Sequence, residues 1–268
     1  FLGCFQFVAW ALWMWSPPST QTCKAVDIPA HVTHLSPMEW VAEASQPYDL
    51  LYIQDDGWLI GSFKMAGNSG VPFLDSEASN RVFGVDTRDP TRRFIVPLPG
   101  RELPQYMTYN PKTEELLVSR LGGNSSWLDV INLSALPKAS VDRSVKMPYS
   151  THEVVTHPTK PVFGLFSDIG EFTLLSQQSL ETLDTIEMRK PGDHSLVTMN
   201  AWHRPDTSKV YVSSLFYPLV EVDMDTMELR WTGPLFGGGQ LTGDPATGRV
   251  FQTDILFHRV DIIGMESL

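Results

Sequence analysis

The chain has 268 residues, 20 Lys and Arg against 31 Asp and Glu, and a formal net charge of −11. An acidic surface repels phosphate, which argues against nucleic acid as a partner and against a basic patch on anionic lipid. The two cysteines, Cys4 and Cys23, are too few for a disulfide framework or a thiolate metal site.

The first fifteen residues, FLGCFQFVAWALWMW, carry no charge. As a helix they reach about 22 Å, short of the roughly 30 Å hydrocarbon core. Trp10, Trp13 and Trp15 crowd the end of the stretch, as an aromatic belt does, and Pro17 and Pro18 stop it. Residues 1–17 are therefore expected to be a short hydrophobic helix, the tail of a membrane span or a signal segment. Either places the remainder of the chain on the extracytoplasmic side. Residues 18–48 are rich in Pro, Ser and Thr and read as a linker.

From residue 49 onward β patterns dominate. PYDLLYIQDDGWLIGSF and NRVFGVDTRDPTRRFIVPL form a first unit around an inserted loop, 64–79. Four further units follow in tandem. YNPKTEELL, THPTKPVFG, HRPDTSKVY and GDPATGRVF place prolines at 111, 158, 205 and 245. Four residues before these stand Met107, Val154, Ala201 and Leu241, and five residues after stand Leu116, Phe163, Val210 and Val250, all apolar. KVYVSS and RVFQTD alternate as half-buried strands do, and VEVDMDTMELRW has hairpin chemistry at Asp223, Asp225 and Thr226. Four strands per roughly 40–50 residues, in tandem, indicate an all-β propeller of about five visible four-stranded blades over 49–268. The weakest unit is the first, where the strand before Pro47 would be AEASQ.

The P-x-T turns with their following strand, and the V-x-V-D-x-x-T hairpin at 220–226, resemble the YVTN, NHL and SMP-30-like propellers. The resemblance implies blade architecture over most of the chain and leaves function open. The glycines at 237–239 fall where one blade crosses to the next, and close backbone approach is the expected reason.

The last unit stops about where its outermost strand should begin. Residues 24–34, KAVDIPAHVTH, are one expected donor of that strand, as a clasp. The other expectation is that the chain is a fragment and further blades complete the ring.

Propeller sites are built at the start of the inner strands. Five residues before each proline stand Tyr106, Glu153, Asn200 and Gln240, with His152 and His203 close by in sequence. These six are the expected ligand-binding rim. Oxygen donors from several blades suit Ca²⁺, and the resemblance to SMP-30-like lactonases points to Glu153 and Asn200 as metal ligands. A histidine beside Glu153 could serve as a general base. NSS at 124–126 and NLS at 132–134 fit the glycosylation pattern.

The function expected from the sequence is an extracytoplasmic, membrane-anchored propeller that binds a protein or carbohydrate. The alternatives are a calcium-dependent lactonase with its site at the channel mouth, or an accessory domain of a larger membrane enzyme. Convergence of Glu153 and Asn200 oxygens on one point would favour the enzyme.

Overall fold

A computed structural model describes residues 45–66, 80–100, 102–122, 125–149, 151–168, 170–188, 198–215, 218–231, 238–254 and 259–265. All of them belong to one unit, Met38–Leu268. The hydrophobic stretch 1–17, the clasping strand expected at 24–34 and most of the inserted loop lie outside the described residues.

The described residues form five antiparallel sheets, the blades of a β-propeller. Blade 1 is β1 (Ser45–Ile53), β2 (Trp58–Ala66), β3 (Arg81–Asp86) and β4 (Arg93–Pro97). Blade 2 is β5 (Leu103–Asn110), β6 (Glu115–Gly122), β7 (Ser125–Ala135) and β8 (Lys138–Met147). Blade 3 is β9 (Thr151–Thr156), β10 (Val162–Ser167), β11 (Glu171–Ser176) and β12 (Thr182–Glu187). Blade 4 is β13 (Thr198–His203), β14 (Lys209–Ser214), β15 (Val220–Asp223) and β16 (Glu228–Trp231). Blade 5 has three strands among the described residues, β17 (Gly238–Asp244), β18 (Arg249–Asp254) and β19 (Arg259–Gly264).

Strand order within each sheet follows chain order, and the first strand of each blade packs on the first strand of the next: β1 on β5, β5 on β9, β9 on β13, β13 on β17. The prolines at 111, 158, 205 and 245 all lie between a blade's first and second strands, as the repeat predicts. At three of these turns the residue before the proline closes the turn with its side chain. Asn110 Oδ1 accepts from Lys112 N at 3.0 Å, Asp244 Oδ1 from Ala246 N at 3.0 Å, and His157 Nδ1 from Lys160 N at 2.9 Å.

Blade 1 departs from the expectation at Pro47. This proline is no turn residue. It sits inside β1 at an irregularity in the pairing with β2, a place where a missing N–H is tolerated. The turn spans residues 54–57, without proline, and Gly57 supplies the positive φ of 70° that closes it. The strand therefore runs through Pro47, from Ser45 to Ile53, rather than ending before it as AEASQ, and β2 continues to Ala66, into the segment read as loop.

Burial follows the blade junctions. Met107, Leu116 and Val118 of blade 2 pack with Ile53, Trp58 and Ile60 of blade 1. Leu117, Leu128 and Val130, on the other face of blade 2, pack with Val154, Phe163 and Leu165 of blade 3. Phe166, Phe172 and Leu174 then meet Val210 and Val212, and Tyr211 and Leu219 meet Leu241, Val250 and Ile263. The second strand of blades 2, 3 and 4 is thus apolar on both faces, which is why ELLV, VFGLF and KVYV read as near-continuous apolar runs. Of the eight residues singled out by register, Met107, Leu116, Val154, Phe163, Val210, Leu241 and Val250 are buried and Ala201 is half-buried.

Candidate functional site

The inner strands share a defect at one register. Pairing slips between Pro47 and Asp49, between Pro104 and Met107, beside Glu153, between Thr198 and Asn200, and between Gly238 and Leu241. Such a bulge sets two residues against one and leaves backbone groups without a ladder partner. Buried backbone groups need partners, so something else must supply them.

The neighbouring blade supplies them. Asn200 Oδ1 accepts from Leu241 N of blade 5 at 2.8 Å. Glu153 accepts from Ala201 N of blade 4. Asp49 Oδ2 accepts from Met107 N of blade 2 at 2.7 Å. Met107, Ala201 and Leu241 are the residues four before the turn proline, so one bond recurs at three junctions. A second bond runs beside it. Ser62 Oγ donates to Gln105 O at 3.0 Å, Ser119 Oγ to His152 O at 3.1 Å and Ser213 Oγ to Gly239 O at 2.6 Å. These carbonyls stand two residues before Met107, Val154 and Leu241. Where blade 2 has Tyr106 in place of a carboxyl or amide, the serine bond holds the junction. Where blade 3 has Phe166 opposite Glu153 in place of serine, the carboxyl holds it.

The expected rim residues divide accordingly. Glu153 and Asn200 come together, with Asn200 Nδ2 donating to Glu153 Oε2 at 2.9 Å. Tyr106 is buried and its ring lies 4.7 Å from that of His152, centroid to centroid. Gln240 is exposed, and its backbone N–H donates to Thr253 Oγ1 at 2.8 Å. His203 turns to its own loop, Nε2 meeting Thr207 O at 2.8 Å, and burial pulls its pKa down.

Electrostatics single out Glu153. Burial pushes its carboxyl well above the usual range, and the charge of Asp49 pushes it further; the bonds from Ala201 and Asn200 pull the other way without prevailing. Asp49 is also raised, chiefly by burial. Asp49 is the member of the ring that the proline spacing misses, because the turn of blade 1 has none. Glycine gives the signal instead: Asp49 stands eight residues before Gly57, as Gln240 stands eight before Gly248. Among the described residues no group of three or more His, Cys, Asp or Glu is placed to hold a metal ion.

Within the glycine run, Gly238 has a packing cause. A Cβ on Gly238 would stand 2.9 Å from the backbone oxygen of Ser214 and 3.0 Å from Ser213 Cβ. Blade 5 approaches blade 4 too closely there for any side chain.

No family model matches this chain, and no curated protein matches it. Among solved structures it is similar to the β-propeller domain of Cps50 (Swd1) from Myceliophteria thermophila, at 10% identity and a TM-score of 0.58. The alignment covers 79% of this chain and 62% of that chain, so this chain spans less than two thirds of the other's length. At that identity the likeness is one of fold, and it makes the five blades a β-propeller.

Proposed function

We propose that this chain is a binding scaffold for a protein or carbohydrate, held on the outer side of a membrane by residues 1–17. The observation that carries the scaffold reading is the engagement of Asn200, whose Oδ1 serves Leu241 N and whose Nδ2 serves Glu153. A metal ligand or a catalytic base needs an oxygen or nitrogen open to substrate, and these two side chains engage theirs with neighbouring blades. His152, half-buried, and Gln240, exposed, have surface to offer a ligand. The anchoring reading rests on the uncharged stretch before Pro17. No helix among the described residues is long and apolar enough to cross a membrane. Placement among the YVTN, NHL and SMP-30-like propellers rests on the P-x-T turns and the 220–226 hairpin.

One observation favours a second reading, a calcium-dependent hydrolase. Asp49 lies close enough for its charge to act on Glu153, which supplies the second acid such a site wants. Calorimetric titration of Ca²⁺ into the full chain at pH 7.5, with lactone hydrolysis followed in parallel, separates the two. The scaffold reading expects no saturable heat and no turnover. Saturable binding together with lactone turnover, both abolished by Glu153→Gln, would establish the hydrolase reading instead. Protease treatment of sealed vesicles carrying the full chain tests the anchored, outward-facing placement, which fails if the blades are digested only from the cytoplasmic side.

A further inference from the structure

Two stretches fit the pattern of an Asn-linked glycan acceptor, NSS at 124–126 and NLS at 132–134, and their geometry differs. NLS occupies the closing residues of β7, where the pairing with β8 is irregular between Asn132 and Ala135. Leu133, between the two polar residues, is 4% exposed and packs in the core shared by blades 1 and 2. Its N–H donates to Glu114 O at 2.9 Å. Successive side chains of a strand point to opposite faces, so the buried leucine turns Asn132 and Ser134 outward. Both are exposed.

The Asn132 amide is oriented as well as exposed. Its Oδ1 accepts from Ser134 N at 2.9 Å and from Ser134 Oγ at 2.6 Å. A backbone N–H only donates, so the amide oxygen must face Ser134 and the nitrogen faces away. Among the described residues Nδ2 makes no hydrogen bond. Two donors draw electron density onto Oδ1, which makes the Nδ2 protons more acidic. The turn is closed within residues 132–134 and needs no other part of the blade.

The hydroxyl of NSS is placed otherwise. Ser126 is 2% exposed, and its Oγ accepts from Thr151 N of blade 3 at 3.2 Å. The hydroxyl that the acceptor pattern requires at its third residue is thus buried in a blade junction at NSS and open to solvent at NLS. We propose that Asn132, and not Asn124, is a site of Asn-linked glycosylation, with an oligosaccharide carried on a lipid pyrophosphate as co-reactant. Asn132 Nδ2 attacks the anomeric carbon of the sugar. The C–N bond forms as the C–O bond to the pyrophosphate breaks, and the lipid pyrophosphate leaves with the electron pair. The displaced Nδ2 proton passes to a base of the transferase. The site rests on the proposed placement of the blades on the outer side of a membrane, because the acceptor pattern is used in secreted and outward-facing chains.

The test translates the full chain into sealed microsomes that hold the transferase and its lipid-linked donor, beside Asn132→Gln, Asn124→Gln, Ser134→Ala and Ser134→Thr. Protease added outside the vesicles reports the placement of the blades separately. The wild type is expected to show a single mobility shift, removed by an amidase that cleaves Asn-linked glycans and leaves aspartate in place of Asn132 in fragment mass spectrometry. Asn132→Gln and Ser134→Ala should lose the shift. Asn124→Gln and Ser134→Thr should keep it, the second because threonine restores the hydroxyl. Asn132 and Ser134 are exposed, so their variants should fold as the wild type does. Blades protected from protease yet without a glycan, or a shift that survives Asn132→Gln, overturn the glycosylation site and leave the outward placement standing. Blades digested from outside, with no shift, overturn both.

Discussion

Asn200 Nδ2 donates to Glu153 Oε2 at 2.9 Å, and the Oδ1 of the same amide accepts from Leu241 N at 2.8 Å. One side chain on blade 4 therefore fastens blades 3, 4 and 5 at the level of their bulges. Removing it should be felt as lost stability. Asn200→Ala leaves the buried N–H of Leu241 without its acceptor, and the expected loss is about 1–3 kcal/mol in urea titration. A loss inside experimental error would mean that water serves Leu241 equally well.

Glu153 is held well above the usual carboxyl range by burial and by Asp49. For an acid raised in the folded state, the native form binds the proton more tightly than the unfolded one. The stabilising contribution is therefore complete below the unfolded pKa and is lost as pH rises through the folded value. Glu153→Gln keeps an acceptor for Ala201 N and Asn200 Nδ2 and cannot ionise. Its stability relative to wild type should rise with pH from 4 upward. Parallel curves for the two proteins from pH 4 to 9 would show that Glu153 does not titrate in this way.

Phe163 is fully buried where blade 3 meets blade 2. Phe163→Ala should cost about 3–5 kcal/mol. Leu183, 57% exposed on β12, is the matched control, and truncating it should change stability by less than about 0.5 kcal/mol. Similar losses at the two positions would break the link between repeat register and burial.

A methyl group at Gly238 would press on the Ser214 carbonyl oxygen at 2.9 Å. That neighbour is backbone and cannot swing aside, so Gly238→Ala should destabilise by about 1–3 kcal/mol. A neutral result by thermal unfolding would mean that blades 4 and 5 separate more easily than their packing implies.

The blades are legible in the sequence because proline and the apolar positions around it repeat with chain spacing. Pro111, Pro158, Pro205 and Pro245 fix the turn, and Val154, Phe163, Val210 and Val250 then fall where interblade burial requires apolar side chains. Blade 1 is harder. Its turn closes with Gly57 and no proline, which leaves Pro47 as a false anchor and hides Asp49. Register finds the inner-strand polar residues but not their common task. A bulge sets two residues against one, and no one-dimensional pattern displays that, so the need of Met107, Ala201 and Leu241 for an acceptor from the next blade shows only in three dimensions. The serines at 62, 119 and 213 carry no signal for the same reason.

The central claim is that the ring of Asp49, Glu153 and Asn200 is a clasp between blades. Amide hydrogen exchange at Leu241 tests it most directly, read by fragment mass spectrometry on the wild type and on Asn200→Ala under native conditions. The clasp predicts slow exchange at Met107, Ala201 and Leu241 in the wild type, and in the variant a loss of protection at Leu241 that spares Met107, whose acceptor is Asp49. Leu241 exchanging at the same slow rate in both proteins would contradict it.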